Sequence, residues 1–383
     1  MKSDRKKSIS IVGAGNAGCI TAMHCYLYAK DEIDTITIYH DPNTPIERTG
    51  QGTSPGVASL INEFFHLDFL NHNFIKSTRK EGIMYENWGN RNEKIFHSFP
   101  QSLSAIHYIP NLLSQAVLNS GAFEVVEKTI EDPEKEIDSD FIFDCRGRNN
   151  REKNLYDQLI NPLNSVILSR KEKVYPDLVY TRTVATPNGW TFVIPNVDST
   201  SYGYLYNNQI TTEEEATADF IERFNVVPDG NLSFENYIAK SFFQGERTIL
   251  NGNRLSFLEP LEATSTGFYE KVTMVALNHI ARGVDKEVCN ASIRFEMKQI
   301  ENFILWHYQY GSKFNTPFWE YAKSLPFNPE NNFNEVVEYS INHSYSDIVR
   351  ERVRDRNSVL NCGFYGPWTA YAFRIWADGV GLT

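Results

Sequence analysis

The chain has 383 residues, of which 41% are hydrophobic and 22% charged, with a net charge of −11. Such a mixture can bury a core without disulfides or structural metal, and its negative field argues against nucleic acid and membrane surfaces as partners. The five cysteines, Cys19, Cys25, Cys145, Cys289 and Cys362, form no CxxC pair, so neither a disulfide framework nor a zinc site is expected and a reducing, cytoplasmic setting fits best.

At the start, MKSDRKK followed by ISIVGAGNAGCITAM has the basic-then-apolar order of a signal peptide. Glycines and Asn16 interrupt the apolar stretch, and no run of about 18 apolar residues suits a membrane span. Ser8 to Val12 reads instead as a buried strand, Cys19 to Ala29 as a helix and Thr35 to Tyr39 as a second strand, which together form a βαβ unit. Gly13, Gly15 and Gly18 make a GxGxxG motif between the first strand and the helix. There glycines permit a tight turn and let backbone amides approach a pyrophosphate at the helix N-terminus. A turn that only packs helix on strand is the bland alternative. The carboxylate expected to take a ribose hydroxyl after the second strand is replaced by His40, so Asp41, one step later, is the candidate.

GxGxxG alone does not separate NAD from FAD. From Glu124 to Arg148 the pattern gives two short strands, and DFIFD at Asp140 to Asp144 is apolar enough for a central one. The DFIFDCRG segment resembles the second FAD-contacting strand of two-dinucleotide-fold flavoproteins, which implies FAD, with Asp144 and Gly147 near its ribityl chain. Leu178 to Asn207 holds three β-rich runs separated by turn residues and reads as antiparallel sheet. After Phe268 the pattern is helical through Tyr310, and the chain ends in an aromatic tail, FYGPWTAYAFRIW. The expected architecture is α/β, a single interleaved unit over residues 1–383. An FAD-binding Rossmann-like lobe takes approximately 1–170 and 245–290, and a β-rich substrate lobe with a helical C-terminal section takes approximately 171–244 and 291–383.

Four further segments occur in order along the chain: GQGTSP at Gly50 to Pro55, RKEGI at Arg79 to Ile83, GWTFVIP at Gly189 to Pro195 and FLEPLEATS at Phe257 to Ser265. They resemble GEGTIP, FKLGI, GWxWxIP and FLEPLESTG or FLEPLEATS of the tryptophan-halogenase family of flavin-dependent halogenases. YGYLYN, the helix ending LWHYQY and the FW that follows also fit that pattern. Gln51 and Phe192 depart from it, and the chain is shorter than the tryptophan halogenases, so their substrate residues do not transfer; a compact member, a phage-encoded one being one option, is the best match.

The resemblance implies FAD in its reduced form, FADH2, used with oxygen and a halide (chloride, bromide or iodide) to make hypohalous acid. Gly50, Thr53 and Pro55 would lie at the flavin, and backbone amides of Thr264 and Ser265 would hold the halide. Trp190, Ile194 and Pro195 would wall the flavin from the substrate. Lys80 and Glu262, meeting in space, would act on an electron-rich aromatic small molecule. A separate NAD(P)H-dependent flavin reductase is expected because no second nucleotide motif is seen; homo-oligomerisation is left open and no metal is expected.

From the residues alone, Lys80 would be a solvated surface lysine, Glu262 a salt-bridged acid, and Trp190 with Phe192 one core face of a strand. His107 reads as structural, and Trp368 and Trp376 fit a pocket, a packed core or an interface equally. An FAD monooxygenase and a catalytically idle flavin-binding protein are the rival functions.

Overall fold

The structure, a computed structural model, describes residues 5–46, 49–67, 73–99, 103–148, 151–329, 331–348 and 364–383; Cys362 lies outside them. Its first layer is a six-stranded sheet in the order Phe243–Gln244, Thr248–Leu250, Phe141–Asp144, Lys7–Val12, Ile33–His40, Glu124–Glu127. The Lys7–Val12 strand pairs in parallel on both sides, Ile11 lying opposite Ile38 and Phe143. A central parallel strand is covered on both faces, which is why ISIV and FIFD are nearly continuous apolar runs. The following helix starts earlier than its apolar pattern suggests, at Asn16, and runs to Tyr28. Gly18 lets it lie against the sheet, since a Cβ there would sit 1.9 Å from the Gly13 carbonyl oxygen.

A seven-stranded sheet forms the second layer, in the order Pro228–Ser233, Ser165–Lys171, Thr200–Tyr206, Gly189–Pro195, Thr181–Thr186, Gly82–Glu86, Lys94–Ser98. The three expected β-rich runs form its centre and pair antiparallel. The expected lobe boundaries need correction here. Gly82–Glu86, Lys94–Ser98 and Ser165–Lys171 belong to this sheet and not to the Rossmann-like layer, because Thr181–Thr186 pairs in parallel with Gly82–Glu86 across about a hundred residues. Period-two alternation marks a strand but not its distant partner.

Three short strands, Gln51–Gly52, Ala105–Tyr108 and Thr78–Lys80, form a small separate sheet in that order, and Gly52 lies against Lys80, a Cβ there falling 2.9 Å from Nζ. The expected continuous helical run is two helices, Ser265–Arg282 and Lys286–Gln309, divided at Gly283 (φ 68°) and recapped by the Asp285 side chain. The tail folds back as the Ala370–Val380 helix, packing on Asn331–Asn342 and on the Lys94–Ser98 strand. Among the described residues no helix is long and apolar enough to cross a membrane.

Candidate active site

Between the layers lies a cavity of about 820 Å³, lined by the Gly13–Ala17 turn, His40 and Asp41, Thr49 to Gly52, Arg146 to Arg148, the Trp190–Ile194 face and Glu262 to Ser265. Its floor fits an anionic dinucleotide. The Asn16–Tyr28 helix has Gly15 at its N-cap, no side-chain cap and no acidic residue in its first turn, so its amides and positive dipole end stay available. A Cβ on Gly15 would meet nothing within 4 Å, whereas one on Gly13 (φ +106°) would lie 2.7 Å from the Cys145 carbonyl oxygen. Gly15 therefore leaves room on the ligand side, and Gly13 lets the two strand ends close beneath it. Asp41 faces the cavity with its carboxyl held below the ordinary carboxylate range, first by the Asn43 backbone amide and then by the Thr129 hydroxyl.

Of the residues expected at the cofactor, Gly13, Gly15, Asp41, Gly50 and Gly147 line this cavity, and Gly18, Thr53, Pro55 and Asp144 do not. The second set acts from behind. Gly18 gives close helix packing. Pro55 opens the Pro55–Phe65 helix at its first turn, after an N-cap at Ser54. Thr53 fixes the turn by bonding Ile106 through its hydroxyl. Asp144 is fully buried and ion-paired at 2.7 Å to Arg146 and 3.1 Å to Arg254, both of which line the cavity. It thus positions two cations at the cavity.

In the Gly189–Pro195 strand, Trp190, Phe192 and Ile194 point alternately into the cavity. Pro195 is behind the wall, its carbonyl accepting from Thr78 at 2.8 Å. Trp190 is locked from its far side: its indole N–H donates to the Tyr308 hydroxyl at 2.9 Å, which donates to Glu259 at 2.9 Å. Burial pushes the Glu259 carboxyl up to about 7, and the Leu261 amide, Tyr308 and Asn161 draw it back only in part.

Lys80 is 1% exposed and lies against the Gly52 end of the cavity lining, where a Cβ would sit 2.9 Å from its Nζ. Its ammonium donates to the Thr53 carbonyl at 3.2 Å and sits 5.3 Å from the centre of the Phe99 ring. Burial pushes it down to about 8, against the opposing pull of the Glu262 charge. Lys80 and Glu262 are thus in electrostatic reach, yet no hydrogen bond or ion pair joins them among the described residues. His107, fully buried between Thr78 and Thr181, is held neutral by burial and by Lys80.

Glu262 is clamped in a left-handed backbone conformation (φ 68°), as is Ala263 (φ 52°). For a non-glycine residue such geometry costs energy and persists only where surroundings enforce it. The clamp is visible: Oε1 accepts from the Tyr85 hydroxyl and from His97 Nδ1 at 2.9 Å, with His307 Nε2 3.5 Å away, and Oε2 accepts from Trp368 Nε1 at 2.8 Å. Burial pushes this carboxyl up, but His97 and His307 outweigh it and hold it well below the carboxylate range. Thr264 and Ser265 follow at the cavity edge and open the Ser265–Arg282 helix without a side-chain cap.

Sequence reasoning missed Tyr85, His97, His307, Tyr308 and Glu259. His307 and Tyr308 sit inside the quoted LWHYQY and Glu259 inside FLEPLE, so their segments were in view; their inward direction was not. Trp368 is resolved as a partner of Glu262, and Trp376 as a core ring 4.1 Å from His307. Among the described residues no group of three His, Cys, Asp or Glu side chains could hold a metal, and Cys19, Cys25, Cys145 and Cys289 are free and buried.

The sequence profile of tryptophan halogenases matches residues 8–113 and 113–353. A tryptophan 6-halogenase of Streptomyces albogriseolus is 28% identical over 155 residues, covering 38% of this chain and 29% of that protein. A tryptophan 7-halogenase of Lentzea aerocolonigenes is 26% identical over 154 residues, covering 38% of this chain and 29% of its own length. The chain therefore aligns with under a third of the length of these relatives. Solved structures agree over far more. A flavin-dependent halogenase from Xanthomonas campestris superposes with a TM-score of 0.80 at 16% identity, covering 99% of this chain and 89% of the other. One from Brevundimonas gives 0.79 at 18% identity, covering 99% and 91%.

Proposed function

The chain belongs to the tryptophan halogenase family, and from that premise we propose that it binds FAD and uses FADH2, oxygen and a halide to halogenate an electron-rich aromatic small molecule. The observation that carries this reading is a buried lysine, without an ion-pair partner among the described residues, in the field of a clamped carboxylate that lines the same cavity as the Gly13–Ala17 turn and the Trp190–Ile194 face. When bound, the reduced flavin would supply the electrons with which oxygen converts halide to hypohalous acid.

The remaining tasks fall to this chain's side chains and amides. The amides at Gly15 to Ala17 would hold the pyrophosphate, Asp41 a ribose hydroxyl, and the Gly50 to Gly52 turn the face of the flavin. The uncapped helix start at Thr264 and Ser265 would take the halide through backbone N–H groups. Trp190, Phe192 and Ile194 would keep oxidant and substrate apart until the hypohalous acid moves past them. Lys80, desolvated and held by one carbonyl, would either hydrogen-bond the hypohalous acid or, as the amine, carry the halogen. Glu262, fixed as an anion, would stabilise the cationic ring intermediate and take the ring proton. FADH2 would come from a separate flavin reductase.

The test supplies the protein with FAD, a reductase, NADH and oxygen, then each halide separately against phenols, indoles and anilines, with mass-spectrometric detection. Free hypohalite, catalase and Lys80→Ala serve as controls. Halide-dependent mass shifts that vanish in Lys80→Ala are expected. Oxygen incorporation alone would replace the reading with a monooxygenase.

A further inference from the structure

His107 is fully buried, and both of its ring nitrogens meet hydroxyls: Nδ1 lies 3.2 Å from Thr78 Oγ1, and Nε2 2.8 Å from Thr181 Oγ1. The direction of each bond follows from one end of the chain of contacts. Thr78 has a single hydroxyl hydrogen and donates it at 2.8 Å to the Pro195 carbonyl oxygen, which can only accept. Towards His107 the Thr78 oxygen is therefore the acceptor, so Nδ1 carries a hydrogen. Burial and the Lys80 charge hold the imidazole neutral, well below its ordinary range. A neutral ring with its hydrogen on Nδ1 has a lone pair on Nε2, and Thr181 donates to it. The Thr181 hydrogen is thus turned inward, and its oxygen is left with lone pairs alone.

Thr181 is 8% exposed and lines the cavity together with Gly52, Glu262, Thr264 and Ser265. Gly52 stands opposite His107 in the small sheet and touches the Lys80 side chain. Thr183, two residues along on the same strand face, lines the cavity too, and its buried hydroxyl has no hydrogen-bond partner among the described residues. One cavity therefore offers opposite chemistries: backbone donors at the uncapped helix start of Thr264 and Ser265, and an acceptor at Thr181. A halide ion has no hydrogen to give and gains nothing from an acceptor. Hypohalous acid is neutral and carries one O–H.

We propose that the Thr181 hydroxyl is an acceptor-only site for the O–H of hypohalous acid on its way to Lys80, with His107 and Thr78 as positioning residues that fix its polarity. Bound in this way, the acid turns its oxygen to the wall and leaves its halogen, the electrophilic end, on the open side. The ligand rests on the halogenase reading above. The polarity of Thr181 does not.

The experiment therefore has two arms. Full-length chain with FAD, labelled with ¹⁵N at histidine, is examined by two-bond proton–nitrogen correlation, and His107 is identified by its contacts with the Thr78 and Thr181 methyl groups. A neutral ring with hydrogen on Nδ1 is expected; hydrogen on Nε2 would turn the Thr181 hydrogen outward and overturn the proposal. In the second arm Thr181→Val, of equal shape but without the hydroxyl, is compared with Thr181→Ser. Each receives a flavin reductase, NADH, oxygen, bromide and the phenols, indoles and anilines of the activity test, with taurine in solution to trap escaping hypobromous acid as bromamine. The ratio of brominated product to bromotaurine is expected to fall about tenfold in Thr181→Val, on the order of one lost hydrogen bond. Thr181→Ser should restore it, with FAD binding and flavin reoxidation unchanged in both. A merely structural role would lower product and bromotaurine together, and an unchanged ratio would overturn the site. Weaker FAD binding in Thr181→Val but not in Thr181→Ser would give the acceptor to a flavin N–H and overturn it as well. Should Thr181→Val not fold, Thr78→Val, which releases the tautomer and keeps the Thr181 hydroxyl, should lower the same ratio by a smaller factor. Neither product nor bromotaurine from the unsubstituted chain would remove the halogenase reading and its ligand, and the spectroscopic arm would still decide the polarity.

Discussion

Around Gly13 to Ala17 the cavity is bounded by backbone and small side chains, with open space where a Cβ on Gly15 would be. Around Glu262 the space is filled by rings, and its two carboxylate oxygens are met by side chains from three elements, Oε1 by the Gly82–Glu86 and Lys94–Ser98 strands and Oε2 by the tail at Trp368–Thr369. The first region offers a ligand open space and backbone amide groups that any sequence with glycines in place would offer. The second holds Glu262 as an anion against the pull of burial, through the polar side chains around it. Backbone-built sites are tolerant of side-chain change; a desolvated charge is not.

The largest break of this contrast comes from Lys80→Met. Product formation should fall by roughly 10²–10⁴-fold, while FAD binding by fluorescence titration stays near that of the unsubstituted chain. Stability should move the other way. The folded pKa of Lys80, about 8, lies below its ordinary 10.5. Its favourable contribution is present only above 10.5 and is lost as pH falls through 8, so at pH 7 Lys80 costs stability, on the order of 3 kcal/mol. Urea midpoints should show the variant more stable at pH 7 and level with the parent near pH 10.5. Equal stability at both values would mean that Lys80 is solvated.

Glu259→Gln tests the support behind the wall. Glu259 is raised by burial from 4.5 to about 7. Its contribution is complete below pH 4.5 and is lost as pH rises through 7, so the Gln variant should gain on the parent by about 3 kcal/mol between pH 5 and pH 8, read from urea unfolding. A constant difference across that range would place Glu259 in contact with water. The smallest of the three effects is Gly13→Ala, where positive φ and a contact with the Cys145 carbonyl oxygen should cost about 2 kcal/mol and weaken FAD binding. The pH profile of turnover at saturating FAD should keep its shape. A changed profile would couple the two regions that the contrast separates.

Legibility follows the same division. GxGxxG, the apolar central strands and the alternating Trp190–Phe192–Ile194 face are contiguous signals, and the structure forms each of them. The resemblance of DFIFDCRG to an FAD-contacting strand implies Asp144 near the ribityl chain, but the resemblance does not fix the direction of the side chain, and its carboxylate pairs with Arg146 and Arg254. Thr53 and Pro195 missed the cavity for the same reason, one residue along the chain being one face away. The clamp on Glu262 could not be read at all. Its donors come from residues 85, 97, 307 and 368, and only tertiary packing brings them together.

The pairing of Lys7–Val12 with Phe141–Asp144, and of that strand with Thr248–Leu250, also orders events in time. During synthesis the first strand emerges long before either neighbour on that side exists, and contacts of such sequence separation form slowly because a long loop must close before they return any energy. The Gly13 turn gains its floor only when Cys145 arrives. A nascent chain thus passes more than a third of its length with that edge of the apolar strand unpaired, which makes the early strand the place where misfolding would begin.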